Sequence, residues 1–426
     1  MTYVSLWTCP TDRQHCSGER QLLPEPLTQG LVPHDTQHVS LAAPVASRTA
    51  DTYAWKRGFG DTPLSIDDNN ATDLPQRPRA WGYRRPAEWE PHQATWLAWP
   101  HNERTWPGKF HVIPPIFADL VRLVARYEPV RLLAGGKALG MARHLVGDVA
   151  GVEIWDVPTN DAWCRDHGPM FVKAPGQPPA LVDWRYNAWG GKYPPYDLDD
   201  AVPAEIARRG GYRRFAADMV LEGGAVDFNG SGTLMTTRSC LLHPGRNPGW
   251  CENRITRYLA DFTGASHILW LTGGDFAGDD TDGHIDQLAR FVGRNQVVAS
   301  WCEDPHDPNY ATLQQLHREL AEAVDEHGNR LDIIRLPLPE PKYYSGRRLP
   351  ASYCNFYFVN GAVIVPAFHD PKDEMAKAIF QDLFPDRQIE LFPCLDLLWG
   401  LGAVHCLAQD EPQWDGDEPE LHQRHH

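Results

Sequence analysis
Ala225-Val226-Asp227-Phe228 runs into Asn229-Gly230 and back out through Thr233-Leu234-Met235-Thr236, and a helical run follows over 253–262. Asn and Gly at the tip supply the positive φ of a tight hairpin, so the stretch reads as strand, turn, strand, helix. The same order recurs on either side. The run 170–173 turns through Pro175-Gly176 into 180–184, 288–292 turns through Gly293-Arg294-Asn295 into 297–300, and 356–359 turns through Asn360-Gly361 into 363–365. Helical runs over 311–327 and 372–383 follow the last two hairpins, and 95–99 with 117–125 fits one more unit. The tips lie roughly 55–66 residues apart, which makes about five repeats of an α/β unit. Five such units must close on themselves to bury their sheet edges.

The 426-residue chain is 42% hydrophobic and 23% charged, an ordinary globular composition, and no apolar run reaches the length of a membrane span. Prolines and polar residues dominate 1–80 without sustained periodicity, so a disordered extension is expected there. The units occupy 81–412, and 413–426 reads as a polar tail. Met1-Thr2-Tyr3-Val4-Ser5 lacks the basic start and apolar run of a secretory signal. Nine scattered cysteines without a CxxC pair speak against a disulfide framework or a structural zinc site, and for the reducing cytoplasm. The formal charge of −16 offers no basic face to nucleic acid. It mildly favours a cationic substrate, although solubility accounts for it equally well.

Four polar clusters sit at the edges of apolar strands, one per repeat: 160–169, 221–224, 279–286 and 399–406. In a closed ring, equivalent positions converge on the axis, so all four can line one pit. That pit would hold the carboxylates Asp166, Glu222 and Asp286, the acid/base His284 and the thiol Cys406. Thiol, histidine and aspartate together resemble a papain-like protease in content. Three carboxylates do not fit that chemistry, because they oppose thiolate formation and give a neutral amide nothing. They fit a substrate that brings positive charge. A guanidinium, held by carboxylates, presents an electrophilic carbon to sulfur.

Each piece also has a plainer reading. Asp279-Asp280-Thr281-Asp282-Gly283-His284 fits an acidic turn or a calcium loop, though without the Glu-terminated spacing of an EF-hand. His284 and Asp286, read as alternate positions of a strand, share one face, as a structural His–Asp pair would. Glu222-Gly223-Gly224 alone is a turn with a solvated acid, and Cys406 alone is a buried small apolar residue. Cys164, read on a strand, points away from Trp163 and Arg165 into packing. The clusters persuade together.

Together they resemble the agmatine deiminase family, related to bacterial peptidylarginine deiminase, over roughly residues 84–412. The resemblance runs through Pro86-Ala87-Glu88-Trp89-Glu90-Pro91-His92, Trp163-Cys164-Arg165-Asp166-His167-Gly168-Pro169, Asn187-Ala188-Trp189-Gly190-Gly191 and Leu221-Glu222-Gly223-Gly224. It continues through Asp280-Thr281-Asp282-Gly283-His284-Ile285-Asp286, Pro350-Ala351-Ser352-Tyr353-Cys354-Asn355 and His405-Cys406-Leu407. It implies the pentein fold, a five-bladed α/β propeller of ββαβ units about a pseudo-fivefold axis. It implies a cofactor-free, metal-free hydrolysis of agmatine to N-carbamoylputrescine and ammonia, on the way to putrescine. In that scheme Cys406 attacks the guanidinium carbon, Asp166 and Asp286 grip its nitrogens with Glu222 alongside, and His284 moves the protons. Trp163 would pack on the aliphatic stem and Asp280 face the distal amine. No nucleic acid or membrane partner is implied, while self-association into a homo-oligomer is common in the family. The alternative on the same scaffold is a peptidylarginine-type or other guanidine deiminase. One departure stands out: many members carry asparagine where this chain has Ala403.

Overall fold
The hairpin at Asn229-Gly230 forms with strands Val226–Phe228 and Thr233–Thr237, antiparallel. Gly230 takes φ 72°, and the Asn229 side chain accepts from the backbone N–H groups of Ser231, Gly232 and Thr233. The helix that follows, Glu252–Thr263, buries Ile255, Leu259 and Phe262 at the three- and four-residue spacing of a single face. The chain then leaves through Gly264 in the left-handed region and adds His267–Leu271 parallel to the second strand of the hairpin.

This plan recurs throughout the computed structural model, which describes residues 77–414 and 416. Met170–Ala174 with Gln177–Arg185, Ala289–Phe291 with Gln296–Trp301, and Tyr357–Val359 with Ala362–Ala367 are antiparallel hairpins. Each acquires a parallel third strand after a helix: Arg213–Val220, Asp332–Pro337 and Gln388–Pro393. In the remaining sheet the first strand comes from the other end of the chain. Ala408–Pro412 pairs antiparallel with His92–Ala98, which is followed in parallel by Val130–Leu133 and Val152–Trp155. Chain start and chain end of the described region thus share one sheet. The fold is α/β, built from five sheets of one design plus a two-stranded ribbon, Tyr343–Tyr344 with Arg347–Arg348.

Some expectations need correction. The helix expected over 311–327 is Tyr310–Glu322, because the Asp325 carboxylate draws His327 and Asn329 into a turn instead. Of the expected disordered extension, 1–76 lies outside the described residues, but 77–80 is structured. Pro78–Trp81 makes a 3-10 turn and Arg77 pairs with Asp261. Of the expected tail, 415 and 417–426 lie outside the described residues, and Gln413 donates to the Pro91 carbonyl. No helix among the described residues is long and apolar enough to cross a membrane. All seven described cysteines are free thiols.

One buried ion pair ties the first unit together. His92 Nδ1 lies 3.0 Å from Glu128 Oε1, and Nε2 lies 2.6 Å from the Glu88 carbonyl. Burial opposes a charge on His92, but Glu128, with help from Asp410 and Glu88, raises it to about 9. Because the folded value exceeds the unfolded 6.5, this contribution is complete below pH 6.5 and is lost as pH rises through 9. Wild-type protein is therefore expected to lose more stability between pH 6.5 and 9.5, by urea midpoint, than Glu128→Gln. Equal losses would remove the link.

Candidate active site
The polar clusters share a structural position: each ends just ahead of the first strand of a unit. Asp166 precedes Met170–Ala174, Glu222 precedes Val226–Phe228, Asp286 precedes Ala289–Phe291 and Cys406 precedes Ala408–Pro412. A strand end held in a sheet fixes the side chains that immediately precede it. The clusters therefore meet.

Gly224 marks where. A Cβ added to it would lie 2.7 Å from His284 Nδ1 and 2.9 Å from both Asp166 Oδ1 and Asp286 Oδ2, so three functional groups crowd one point. The Gly224 N–H donates to Asp166 Oδ1 at 3.1 Å, and Asp286 Oδ2 lies 3.5 Å from Cys406 Sγ. His284 Nδ1 is 3.8 Å from Asp166 Oδ1, and its Nε2 is 4.0 Å from Glu222 Oε2. All five groups are buried. Both His284 nitrogens and Asp286 Oδ1 lack a hydrogen-bond partner among the described residues. Buried polar atoms left open in this way call for a water, an ion or a ligand.

A cavity of about 550 Å³ opens onto this point and is lined by Trp163, Asp166, Trp189, Asp280 and Cys406. His284 and Asp286 reach it through lining residues, His284 Nδ1 at 3.8 Å from Asp166 and Asp286 Oδ2 at 3.5 Å from Cys406. Trp163 packs on Trp106 at 5.6 Å and against Gly402, where a Cβ would come within 2.4 Å of its ring. Asp280 lies at the outer part of the cavity, where it accepts from the Tyr193 hydroxyl, and Arg347 stands 4.0 Å away. Asp161 and Asp199 add two further carboxylates to the lining. The basic lining residues Arg104, Lys192 and Arg347 are exposed, whereas Asp166 and Asp199 are buried, so the carboxyl groups lie deeper than the basic ones.

Electrostatics follow from that crowding. Burial raises Asp166 above its usual range; the His284 charge opposes, and Asp286 and Glu222 add to the rise. Burial would raise Asp286 too, but the His405 hydrogen bond and charge, with His284 and Arg290, hold it low. Burial works against charge on His284, yet Asp166, Cys240 and Asp286 bring it to about 10, so the ring is an imidazolium at neutral pH. Burial, then Asp286 and Asp166, push the Cys406 thiol well above its ordinary value. An unliganded site of this kind holds a thiol, not a thiolate.

Two placements differ from the sequence reading. His284 and Asp286 are not on a strand: His284 caps the one-turn 3-10 segment Ile285–Gln287. Cys164 lies in the helical turn Cys164–His167, fully buried, so it packs as expected for a different reason. Asp279 is the centre of an acidic turn, its oxygens taken by Thr281 and the Gly283 N–H. Glu222, Cys240 and His284 bring ligand-type atoms within 4.8 Å of one another. Arg246 Nε sits 2.9 Å from both Glu222 oxygens, which already balances that charge and makes the trio a setting for His284 rather than an ion cage.

Other contributors carry no catalytic signature in the sequence. Trp189 Nε1 donates to Asp166 Oδ2 at 3.0 Å. Arg246 also bonds Asp282 and the Thr281 carbonyl, locking the 279–284 segment. His405 bridges Asp286 Oδ2 at 2.8 Å and Glu88 Oε2 at 2.9 Å. Only their sequence neighbourhoods pointed at them.

An α/β fold carrying such a site defines a hydrolase that acts on C–N bonds of guanidino groups. The model of the Porphyromonas-type peptidyl-arginine deiminase family matches residues 84–412, and the chain belongs to that family. It is 38% identical over 360 residues to an agmatine deiminase of Pseudomonas aeruginosa, covering 79% of this chain and 97% of that one. Among solved structures, the agmatine deiminase of Enterococcus faecalis matches with TM-score 0.75 and 30% identity, over 79% of this chain and 98% of that one. An agmatine deiminase of C. jejuni matches with TM-score 0.70 and 32% identity, over 78% and 96%.

Proposed function
We propose that the protein is an agmatine deiminase, hydrolysing agmatine to N-carbamoylputrescine and ammonia and so feeding putrescine synthesis. The observation that carries the reading is the crowding of Asp166, Asp286, His284 and Cys406 at one buried point, with Asp286 Oδ1 and both His284 nitrogens open. Two carboxylates beside a thiol keep it protonated even with the His284 imidazolium present, unless a further cation arrives. A guanidinium is that cation, and its charge lets Cys406 ionise.

The residue roles follow the same logic. Asp166 and Asp286 hold the guanidinium nitrogens, with Glu222 alongside. As the guanidinium binds, the Cys406 thiol gives its proton to solvent; the thiolate sulfur bonds to the guanidinium carbon, and the C–N bond breaks as His284 gives its proton to the departing ammonia. His284, now neutral, takes one proton from water as its oxygen bonds to carbon; the C–S bond breaks, the thiolate leaves, and the remaining hydroxyl proton passes to solvent as N-carbamoylputrescine forms. Trp163 flanks the aliphatic stem, and Asp280 faces the distal ammonium. No cofactor or metal enters this scheme. As architecture, we read the five sheets as blades of a pentein propeller within a catalytic domain spanning 81–412; the shared plan and the sheet joining Ala408–Pro412 to His92–Ala98 support this. A cytoplasmic setting belongs to the same reading, supported by the unpaired cysteines.

The test is incubation with agmatine, arginine and an arginyl peptide, with products identified by mass spectrometry. N-carbamoylputrescine and ammonia from agmatine are expected; putrescine and urea, or turnover of the peptide alone, would sink the proposal. Gly224→Ala provides a sharper probe. Its methyl would displace Asp166, His284 and Asp286 together, so kcat/KM on agmatine should fall by at least about 100-fold. A variant within a few-fold of wild type would show that the three groups do not act at that point.

A further inference from the structure
The sequence singles out four of the five units; the fifth also reaches the site. Asn355 stands two residues ahead of Tyr357–Val359, as Cys406 stands two ahead of Ala408–Pro412 and Gly224 two ahead of Val226–Phe228. It is fully buried. Its Oδ1 accepts from the backbone N–H groups of Ala403 and Cys406, both at 3.2 Å, and its Nδ2 donates to Cys406 Sγ at 3.1 Å. The Asn355 carbonyl accepts from the His405 N–H at 3.1 Å. Two N–H donors facing Oδ1 fix the orientation of the amide, so the NH2 end must face the sulfur.

We infer that Asn355 is a catalytic residue whose amide N–H stabilises the Cys406 thiolate as it attacks and again as it leaves. The inference rests on the reading of Cys406 as nucleophile. Around that sulfur, Asp286 Oδ2 at 3.5 Å opposes the negative charge and Asp166 adds to the opposition from farther away. The imidazolium of His284, paired with Asp166, is the nearby cation, and His405 is committed to Asp286 and Glu88. Gln287 Nε2 lies 3.9 Å off. Asn355 is thus the closest side-chain donor to the sulfur among the described residues, and with the Ala403 backbone it works against the burial and the carboxylates that favour the neutral thiol. It also occupies the backbone N–H groups of Ala403 and Cys406, which hold the loop beneath the nucleophile.

Asn355→Asp separates the two jobs. It keeps an oxygen for both backbone N–H groups and replaces the donor to sulfur by an anion. The rate of Cys406 alkylation by iodoacetamide, followed by mass spectrometry on the full chain, should fall at least about tenfold at a fixed pH below the thiol midpoint. Turnover of agmatine should fall about 10- to 100-fold in kcat, with KM within about threefold of wild type. A folded Asn355→Asp that alkylates and turns over like wild type would reduce Asn355 to a brace and overturn the inference. Should that variant not fold, Asn355→Ser decides by the same two rates. Failure of the functional reading looks different: wild type would not deiminate agmatine, or Cys406→Ala would still do so, whatever the alkylation rates.

Discussion

Cys406→Ala is expected to release no ammonia from agmatine, a loss on the order of 10⁴-fold or more, while the protein still folds and binds the substrate. The sulfur is the only atom in the cluster that can form the covalent intermediate. Neither the two carboxylates nor the imidazolium can replace it. Binding should survive because Asp166 and Asp286, which carry the charge complementary to a guanidinium, are untouched. It should even tighten, since the sulfur no longer competes with Asp286 Oδ2 at 3.5 Å. Folding should survive because the change removes one atom from a buried side chain whose polar neighbours keep other partners. Asn355 Oδ1 still accepts from the backbone at 403 and 406, and Asp286 remains bonded to His405. Calorimetric titration with agmatine beside an ammonia assay checks both halves. Turnover in the variant would remove Cys406 from the mechanism; loss of both binding and turnover would point to a misassembled site.

Glu88→Gln is expected to produce the largest stability loss, about 3–5 kcal/mol, with a fall in turnover beyond it. Glu88 is buried between two guanidiniums and an imidazole: its Oε2 accepts from Arg165 at 2.7 Å and His405 at 2.9 Å, and Oε1 lies 3.0 Å from Arg290. Burial would raise its pKa, yet Arg290, His405 and Arg165 hold it well below the ordinary 4.5. A neutral amide there leaves two interior guanidiniums sharing Asp410 and Asp227, the former 3.4 Å from Arg165. It also unseats His405, the partner that keeps Asp286 low and in place. Because the folded value is depressed, the Glu88 contribution is complete above pH 4.5 and is lost as pH falls below it. Urea melts should therefore separate wild type from Glu88→Gln at neutral pH and bring them together in acid. A constant gap across that range would assign the stability to shape rather than charge.

The repeat was legible because hairpin tips are written in local chemistry: Asn229-Gly230 and Asn360-Gly361 announce turns that any fold must make. The reactive residues were legible because Cys406, His284 and three acids are chemically incongruous unless a cation joins them. What the sequence misplaced was local geometry. His284-Ile285-Asp286 alternates like a strand but caps a 3-10 turn, since Arg246 and Asp279 pull the preceding loop into shape from outside the segment. Nor could it mark Asn355, whose amide is ordinary until the fold brings it 3.1 Å from a sulfur fifty-one residues away.

Residue by residue, the chain spells out alternating hairpin and helix in about five units and a thiol, Cys406, with His284 and several acids suited to a guanidinium. Which groups share a point follows from how the units pack against one another. Hairpin signals and residue chemistry are properties of short segments, readable one at a time. The ionisation of Cys406, the grip on Asp286 through His405 and Glu88, and the donor from Asn355 depend on distances between units that no segment encodes alone.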